Sequence, residues 1–435
     1  MRQLSQEDTL GIRATTIKKV IKAIDLALRK GFYTTPYMIL GPVGTGKTTA
    51  IREYAKNNGL GFMELRLASY METDLAGLPK IVKRETKHDF TPEEVEQGKD
   101  YVVKWVQSGI LPNELDPNFK EKGILFLDEI TNANPGVQAA AWQLMDSSRG
   151  VGAYKLPEKW LVVAAGNGPA DGGNFTTLSS AILGRCMKSR INPDAAEWVE
   201  WAQGHDLDPT IRAFVTTNPD QLWGGDATLD QIRDGCAFPQ PRTWGLADVY
   251  LKGALEDNNG EDLDFETVED YVGQACGDTT GTKFAAFYIL RKQMLKMSDI
   301  EEGRIQLTPD KITSMRTEIL SIQSEEIVSA VCKKMLQSEL GKGTEEEKKE
   351  LVRKGINIFK FIVDMANIRL DLSITCIRMI RSFFLNYDRK DEGFEPEDVH
   401  GVFLKFLFAR RAELTAVCPG WTAFQRENQS AFELV

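Results

Sequence analysis

The chain has 435 residues, 42% hydrophobic, 27% charged and 9% aromatic, with a formal net charge of −10. That length allows two or three domains with sizeable cores, and the acidic balance argues against a protein built mainly to coat nucleic acid, while leaving a local basic channel open. The six cysteines (Cys186, Cys236, Cys276, Cys332, Cys376 and Cys418) form no C-x-x-C pair, no apolar run approaches the roughly 18 residues of a membrane span, and residues 1–8 lack an apolar signal region. These features point to a reducing cytoplasm and exclude a disulfide framework.

Taken in order, residues from about Thr15 to Lys30 place Ile17, Val20, Ile21, Ile24, Leu26 and Leu28 at helical spacing, and Gly31 is the expected stop. Tyr37-Met38-Ile39-Leu40 reads as a short strand, and Gly41-Pro42-Val43-Gly44-Thr45-Gly46-Lys47-Thr48 follows it. This octapeptide fits G-x-x-x-x-G-K-[ST], a phosphate-binding loop. Its glycines let the backbone curl so that successive N–H groups face phosphate oxygens. Lys47 adds a point charge near the outer phosphates, and the Thr48 hydroxyl suits Mg²⁺. A helix beginning at about Thr48 and Thr49 turns its positive end to the same anion. A glycine-rich turn that binds nothing is the alternative, and the strand before and helix after weigh against it.

A second strand is expected at Gly61–Ala68, then a helix-breaking turn at Asp74-Leu75-Ala76-Gly77-Leu78-Pro79. From Lys80 to Gln107 the composition becomes mixed-charge, with aromatics at Phe90, Tyr101 and Trp105, which suggests an inserted β-hairpin. It is either a solvated surface feature or a substrate-contacting one. Gly123-Ile124-Leu125-Phe126-Leu127-Asp128-Glu129-Ile130 reads as a buried parallel strand ending in two carboxylates. Beside a phosphate loop, Asp128 would support the metal and Glu129 would face an attacking water. A helix is expected from Pro135 to Asp146, a turn-rich stretch at 147–152, and a further strand at Trp160–Ala165 that ends in Gly166-Asn167-Gly168. Asn167 is placed either to orient that water or simply to turn the chain. A short helix from Leu178 to Arg185 and a strand at Met187–Ile191 complete five strands, which fit a parallel α/β sheet.

Beyond Pro193 the pattern is all-helical, with helices expected near Ala195–Gln203, Pro209–Thr217, Trp244–Glu256, Phe265–Ala275 and Lys283–Lys296. Pro241-Arg242 introduces the third of these, so Arg242 stands near a helix start. From about Ser298 a further helical region follows. Gly341–Lys349 reads as a mixed-charge linker, and the Phe and Met stripes of Val352–Ile380 and Val402–Arg411 read as core. The expected divisions are 1–193, an α/β nucleotide-binding domain with a hairpin insertion near 80–107; 194–298, a helical lid; and 299–435, a helical extension.

Together these motifs resemble the AAA+ ATPases, and within them the MoxR and dynein-related group of bacterial and phage proteins. The resemblance covers roughly residues 10–290. It rests on the loop at Gly41–Thr48, Asp74–Pro79, Leu125–Ile130, Ala164-Ala165-Gly166-Asn167, Ala181-Ile182-Leu183-Gly184-Arg185 and Pro241-Arg242-Thr243-Trp244. It implies an ATP hydrolase that uses Mg²⁺ and assembles as a homo-oligomeric ring, usually a hexamer, with sites at subunit interfaces. It also implies Asn167 as sensor 1, Arg185 as the arginine finger acting on the neighbour's ATP, and Arg242 as sensor 2. The group usually carries Asp-Arg-Phe at the finger, where this chain has Gly184-Arg185-Cys186, which leaves Arg190 as a competitor. Many members remodel or activate a protein client with a von Willebrand factor A-type partner. A nucleic-acid motor and a nucleotide-binding switch or scaffold are the competing readings.

Overall fold

A computed structural model describes residues 14–85, 88–168, 171, 176, 184–224, 230–231, 234–305, 308–387, 396–399, 401–418, 420–427 and 429. The chain divides into two compact units, Met1–Asn192 and Pro193–Val435.

The first unit is built on a parallel sheet. Its elements begin with β1 (Ala14–Thr15), α1 (Ile17–Lys30), β2 (Tyr37–Leu40), α2 (Lys47–Asn57), β3 (Gly61–Arg66), α3 (Glu72–Ala76), β4 (Leu78–Lys83), α4 (Pro92–Glu96) and β5 (Tyr101–Val106). They continue with β6 (Gly123–Asp128), α5 (Pro135–Met145), β7 (Gly150–Val151), β8 (Tyr154–Lys155), β9 (Trp160–Gly166) and β10 (Met187–Ile191). The sheet order is β1-β10-β2-β9-β6-β3, with every pairing parallel. It comprises the five expected strands and a two-residue edge strand, β1.

Side chains alternate between two apolar layers, as the pleat requires. Ile39, Phe126 and Val163 face a core shared with Val20 and Ile24 of α1 and Ile51 of α2. Met38, Leu40, Leu125, Leu127 and Val162 face the opposite core, closed by Val137, Ala141 and Leu144 of α5. Coverage on both faces is why β2, β6 and β9 read as unbroken apolar runs. Gly31 ends α1 in the left-handed conformation at φ 75°.

Strands β4 and β5 pair antiparallel as a two-stranded ribbon. One face of the register carries Pro79, Ile81 and Lys83 opposite Trp105, Val103 and Tyr101; the other sets Lys80 directly across from Lys104. Most of these side chains are exposed, Ile81 at 71% and Trp105 at 46%. The expected turn at 74–79 is partly helical: α3 runs through Ala76, and Gly77 alone makes the break at φ 84°. A side chain at Gly77 would collide with the Val106 carbonyl, so glycine lets the ribbon's base close. The Ser108 hydroxyl donates to the Asp74 carbonyl on the same base. The helix expected at Leu178–Arg185 lies outside the described residues except for Gly184 and Arg185.

The second unit is helical among its described residues. Helices Ala195–Gly204, Pro209–Thr217, Pro241–Asp257, Phe265–Cys276 and Asp278–Tyr288 surround a core centred on Phe214, Trp244 and Phe284. Helices Thr317–Leu340, Glu345–Ala366, Leu370–Asn386 and Val402–Ala409 form a second core, where Phe359, Phe384, Phe403 and Phe406 are buried. The Phe stripes of the sequence are therefore core, except for Phe408, which is exposed. The stretch expected to be a linker at 341–349 is loop only to Thr344. Thr344 and Glu347 form a capping box, and Glu345, Glu346 and Glu347 in the first turn suit the helix dipole, so the charged run starts a helix.

The two helical groups meet along a polar seam. The Arg212 Nε donates to Glu325 at 2.9 Å, with side chains 2% and 4% exposed. Arg291 pairs with Asp208 at 3.7 Å, Asp262 at 3.3 Å and Glu326 at 3.1 Å, and donates to the Thr210 hydroxyl. Burial pushes the Glu325 and Glu326 carboxyls above their ordinary range, against the pull of these guanidinium groups.

Candidate nucleotide site

The central strands β2, β6 and β9 end side by side, and the candidate residues stand at those carboxyl ends, where open α/β sheets bind ligands. After Leu40 the loop Gly41–Gly46 curls with Gly44 at φ 73° and Gly46 at φ 80°, left-handed conformations that glycine adopts without strain. The Gly41 N–H donates to the Gly166 carbonyl at 3.2 Å, which ties the loop to β9, and the Thr45 hydroxyl donates to the Pro42 carbonyl at 3.0 Å. Helix α2 starts at Lys47 with no side chain capping it, so its first N–H groups, including those of Thr48 and Thr49, face the loop. Val43 lies exposed on the loop's rim.

Lys47 is 8% exposed, and its ammonium donates to the carbonyls of Gly41 and Pro42 at 2.8 Å each. The Thr48 hydroxyl donates to Asp128 Oδ2 at 2.7 Å. The other carboxylate oxygen, Oδ1, accepts the Glu129 N–H at 2.9 Å. Glu129 itself has φ 56°, a left-handed conformation costing a β-carbon-bearing residue of order 1–3 kcal/mol. The chain turns there out of the strand and into a 3₁₀ turn, Ile130–Asn132, leaving the Glu129 side chain exposed.

Asn167 follows β9 and is 7% exposed. Its N–H donates to the Thr131 hydroxyl at 2.9 Å, so sensor candidate and Glu129 turn are stitched together. Sequence reasoning missed Thr131, which is fully buried. Its only signal was a hydroxyl two residues after the paired carboxylates.

Two arginines competed for one role, and their surroundings differ. Arg190 donates to Asp171 at 2.6 Å, with side chains 8% and 1% exposed; Asp171 also accepts the Gly168 N–H. Arg185 is 56% exposed, pairs with Asp146 at 3.4 Å, and lies over the Trp142 ring at 5.5 Å. It precedes the amino end of β10, the strand beside β2, whereas the phosphate loop follows the carboxyl end of β2. Five residues of strand separate those levels by roughly 15 Å. Cys186, where the related pattern has an aromatic residue, packs with Trp142 on the α5 core, and burial pushes its thiol up. Arg242 is the second residue of Pro241–Asp257 in the other unit, and it is described within that unit alone.

The residues present fit a nucleotide triphosphate with Mg²⁺. The curled loop and uncapped helix offer N–H donors to an anion, and a hydroxyl and a carboxylate in contact offer hard oxygen ligands. Among the described residues no group of three or more His, Cys, Asp or Glu side chains forms a metal cage. Mg²⁺ commonly needs none, since substrate phosphates and water complete its shell.

Fold and loop thus define a P-loop ATPase. Residues 36–186 match the model of the AAA domain of the dynein-related subfamily, and this match supports an ATP hydrolase. No curated protein matches the chain. Among solved structures, a "putative ATPase" from Cytophaga hutchinsonii matches at 13% identity over 92% of each chain, with a TM-score of 0.27. NtrX from Brucella abortus matches at 12% identity and TM-score 0.28, over 72% of this chain and 61% of its own in complex with ADP. A second NtrX structure matches at 12% identity over 92% of this chain and 69% of its own, with a TM-score of 0.28. At TM-scores this low, neither protein defines the fold or function of this one.

Proposed function

We propose that the protein is a ring-forming, MoxR-like ATPase of the cytoplasm that couples Mg²⁺-dependent ATP hydrolysis to remodelling or activation of a protein client. The observation that carries this reading is the contact of Thr48 with Asp128 at the head of the phosphate loop, with Glu129 next in line. In this reading the backbone of Gly41–Thr49 and Lys47 hold the phosphates, and Thr48 and Asp128 hold Mg²⁺. The metal supplies charge neutralisation to the phosphates. Glu129 accepts the proton of the attacking water, and Asn167 orients that water. Arg185 completes the site of the next subunit in a hexamer, which explains its exposure and its distance from its own loop, while the burial of Arg190 argues against it as the finger. Arg242 contributes from the lid, residues 194–298. The exposed ribbon of β4 and β5 grips the client, with or without a von Willebrand factor A-type partner.

The test is a pair of substitutions. Lys47→Ala abolishes ATP binding; Glu129→Gln still binds ATP but turns over at least about a hundredfold slower, the lower end of what a positioned base contributes. Wild-type turnover in the Glu129→Gln protein sinks the assignment. A nucleic-acid motor is the second reading. It is favoured by Lys80 lying across from Lys104 and by the absence of carboxylates on either ribbon strand. It requires DNA to raise the ATPase rate with a steep dependence on salt.

A further inference from the structure

We propose that Trp142 and Asp146 are positioning residues that hold Arg185 ready for the neighbouring subunit. The inference rests on the reading of Arg185 as a finger given above.

Trp142 and Asp146 are four residues apart, so they share one face of α5 at and just beyond its carboxyl end. The guanidinium lies over the Trp142 ring at 5.5 Å and its NH1 reaches Asp146 at 3.4 Å. Asp146 is itself fixed by the Ser147 N–H at 2.7 Å. Cys186, beside the arginine, is anchored in the same core cluster as Trp142. A freely moving arginine explores many rotamers; one held on an aromatic face and by a carboxylate does not. Yet the side chain remains 56% exposed, so the held guanidinium still offers donors outward. This arrangement presents the finger rather than hiding it.

The amino end of α5 is held too. Gln138, 6% exposed, donates from Nε2 to the Ile130 carbonyl at 2.9 Å, and Ile130 directly follows Glu129. The amino end of α5 is thereby pinned at the Glu129 turn, which helps fix the helix whose far end supports the finger.

Mixed rings test this. Donor subunits carry Lys47→Ala and keep Arg185; acceptor subunits carry Arg185→Ala and keep the loop. Activity of the mixture reads the donor's finger on the acceptor's ATP. Adding Asp146→Asn or Trp142→Leu to the donor should lower kcat about two- to fivefold each, and about tenfold together, with KM for ATP unchanged. Trp142→Phe, which keeps an aromatic face, should restore most of the rate. The same substitutions placed in the acceptor should change nothing, because its finger is already absent. An unchanged or raised kcat from the donor variants, or an equal loss from the acceptor variants, overturns the proposal. If Arg185→Ala in the donor also leaves the mixture unaffected, the finger reading falls and takes this proposal with it.

Discussion

Replacing Arg190 with methionine separates the two candidate fingers by thermodynamics. Its guanidinium lies 2.6 Å from Asp171, and both side chains are nearly out of solvent, at 8% and 1%. Removing one member of such a pair strands a buried carboxylate, which costs about 3–5 kcal/mol. For a unit of 150–250 residues each kcal/mol moves the midpoint by roughly 2–4 °C, so Arg190→Met should lower the melting of the first unit by roughly 6–20 °C. The Arg185 pair is half exposed and worth at most about 1 kcal/mol, so Arg185→Met should shift melting by no more than roughly 4 °C. Scanning calorimetry with and without an ATP analogue identifies the transition, because ligand raises the midpoint of the unit that binds it. Adding Asp171→Asn to Arg190→Met should recover much of the loss, since no uncompensated charge remains and the amide oxygen still accepts the Gly168 N–H. An Arg190→Met protein with unchanged melting, no cross-subunit activity, and an active Arg185→Met counterpart would refute the reasoning and make Arg190 the finger.

Three further outcomes are expected. In the ribbon, Tyr101→Ala and Trp105→Ala should leave basal ATPase and melting unchanged while client-stimulated activity falls, because neither side chain belongs to a core cluster; a lower melting point with unchanged client response per folded molecule would make the aromatics structural. Among the thiols, exposed Cys236 should react with Ellman's reagent at about pH 8 well before the buried Cys276, Cys332, Cys376 and Cys418. Burial pushes Cys276 and Cys376 up to about 12 and Cys418 to about 11, so the folded chain keeps protons that the unfolded chain releases near the ordinary 9.0. The second unit should therefore lose stability as pH climbs from about 9 towards 12, and a melting midpoint that rises over that range contradicts the burial.

Much of the sheet was legible because buried parallel strands write themselves as unbroken apolar runs, as Ile124–Leu127 and Trp160–Ala165 do. The nucleotide loop was legible because its chemistry sits in eight consecutive residues. What escaped depends on partners distant in sequence. Nothing near Arg190 announces Asp171 nineteen residues before it, and nothing near Asn167 announces Thr131; both contacts exist only because β6, β9 and β10 share one sheet. Edge strand β1 has two residues and no apolar signature of its own. The helix at Glu345 was missed for a different reason. Its charges suggested solvent-exposed coil, although the Thr344–Glu347 spacing was the available signal for a helix start.

The polar seam of the second unit limits how the chain can be dissected. A fragment that stops before Thr317 keeps Arg212 and Arg291 but discards Glu325 and Glu326, leaving cations where apolar packing had excluded water. Transplanting the 194–298 segment into a related ATPase without its following helices carries the same penalty. The reverse graft fares no better, because Glu325 then arrives without its guanidinium. Chimeras that exchange everything from Pro193 onward keep each charge with its counterpart, so that is the cassette in which natural or laboratory recombination can trade these helices.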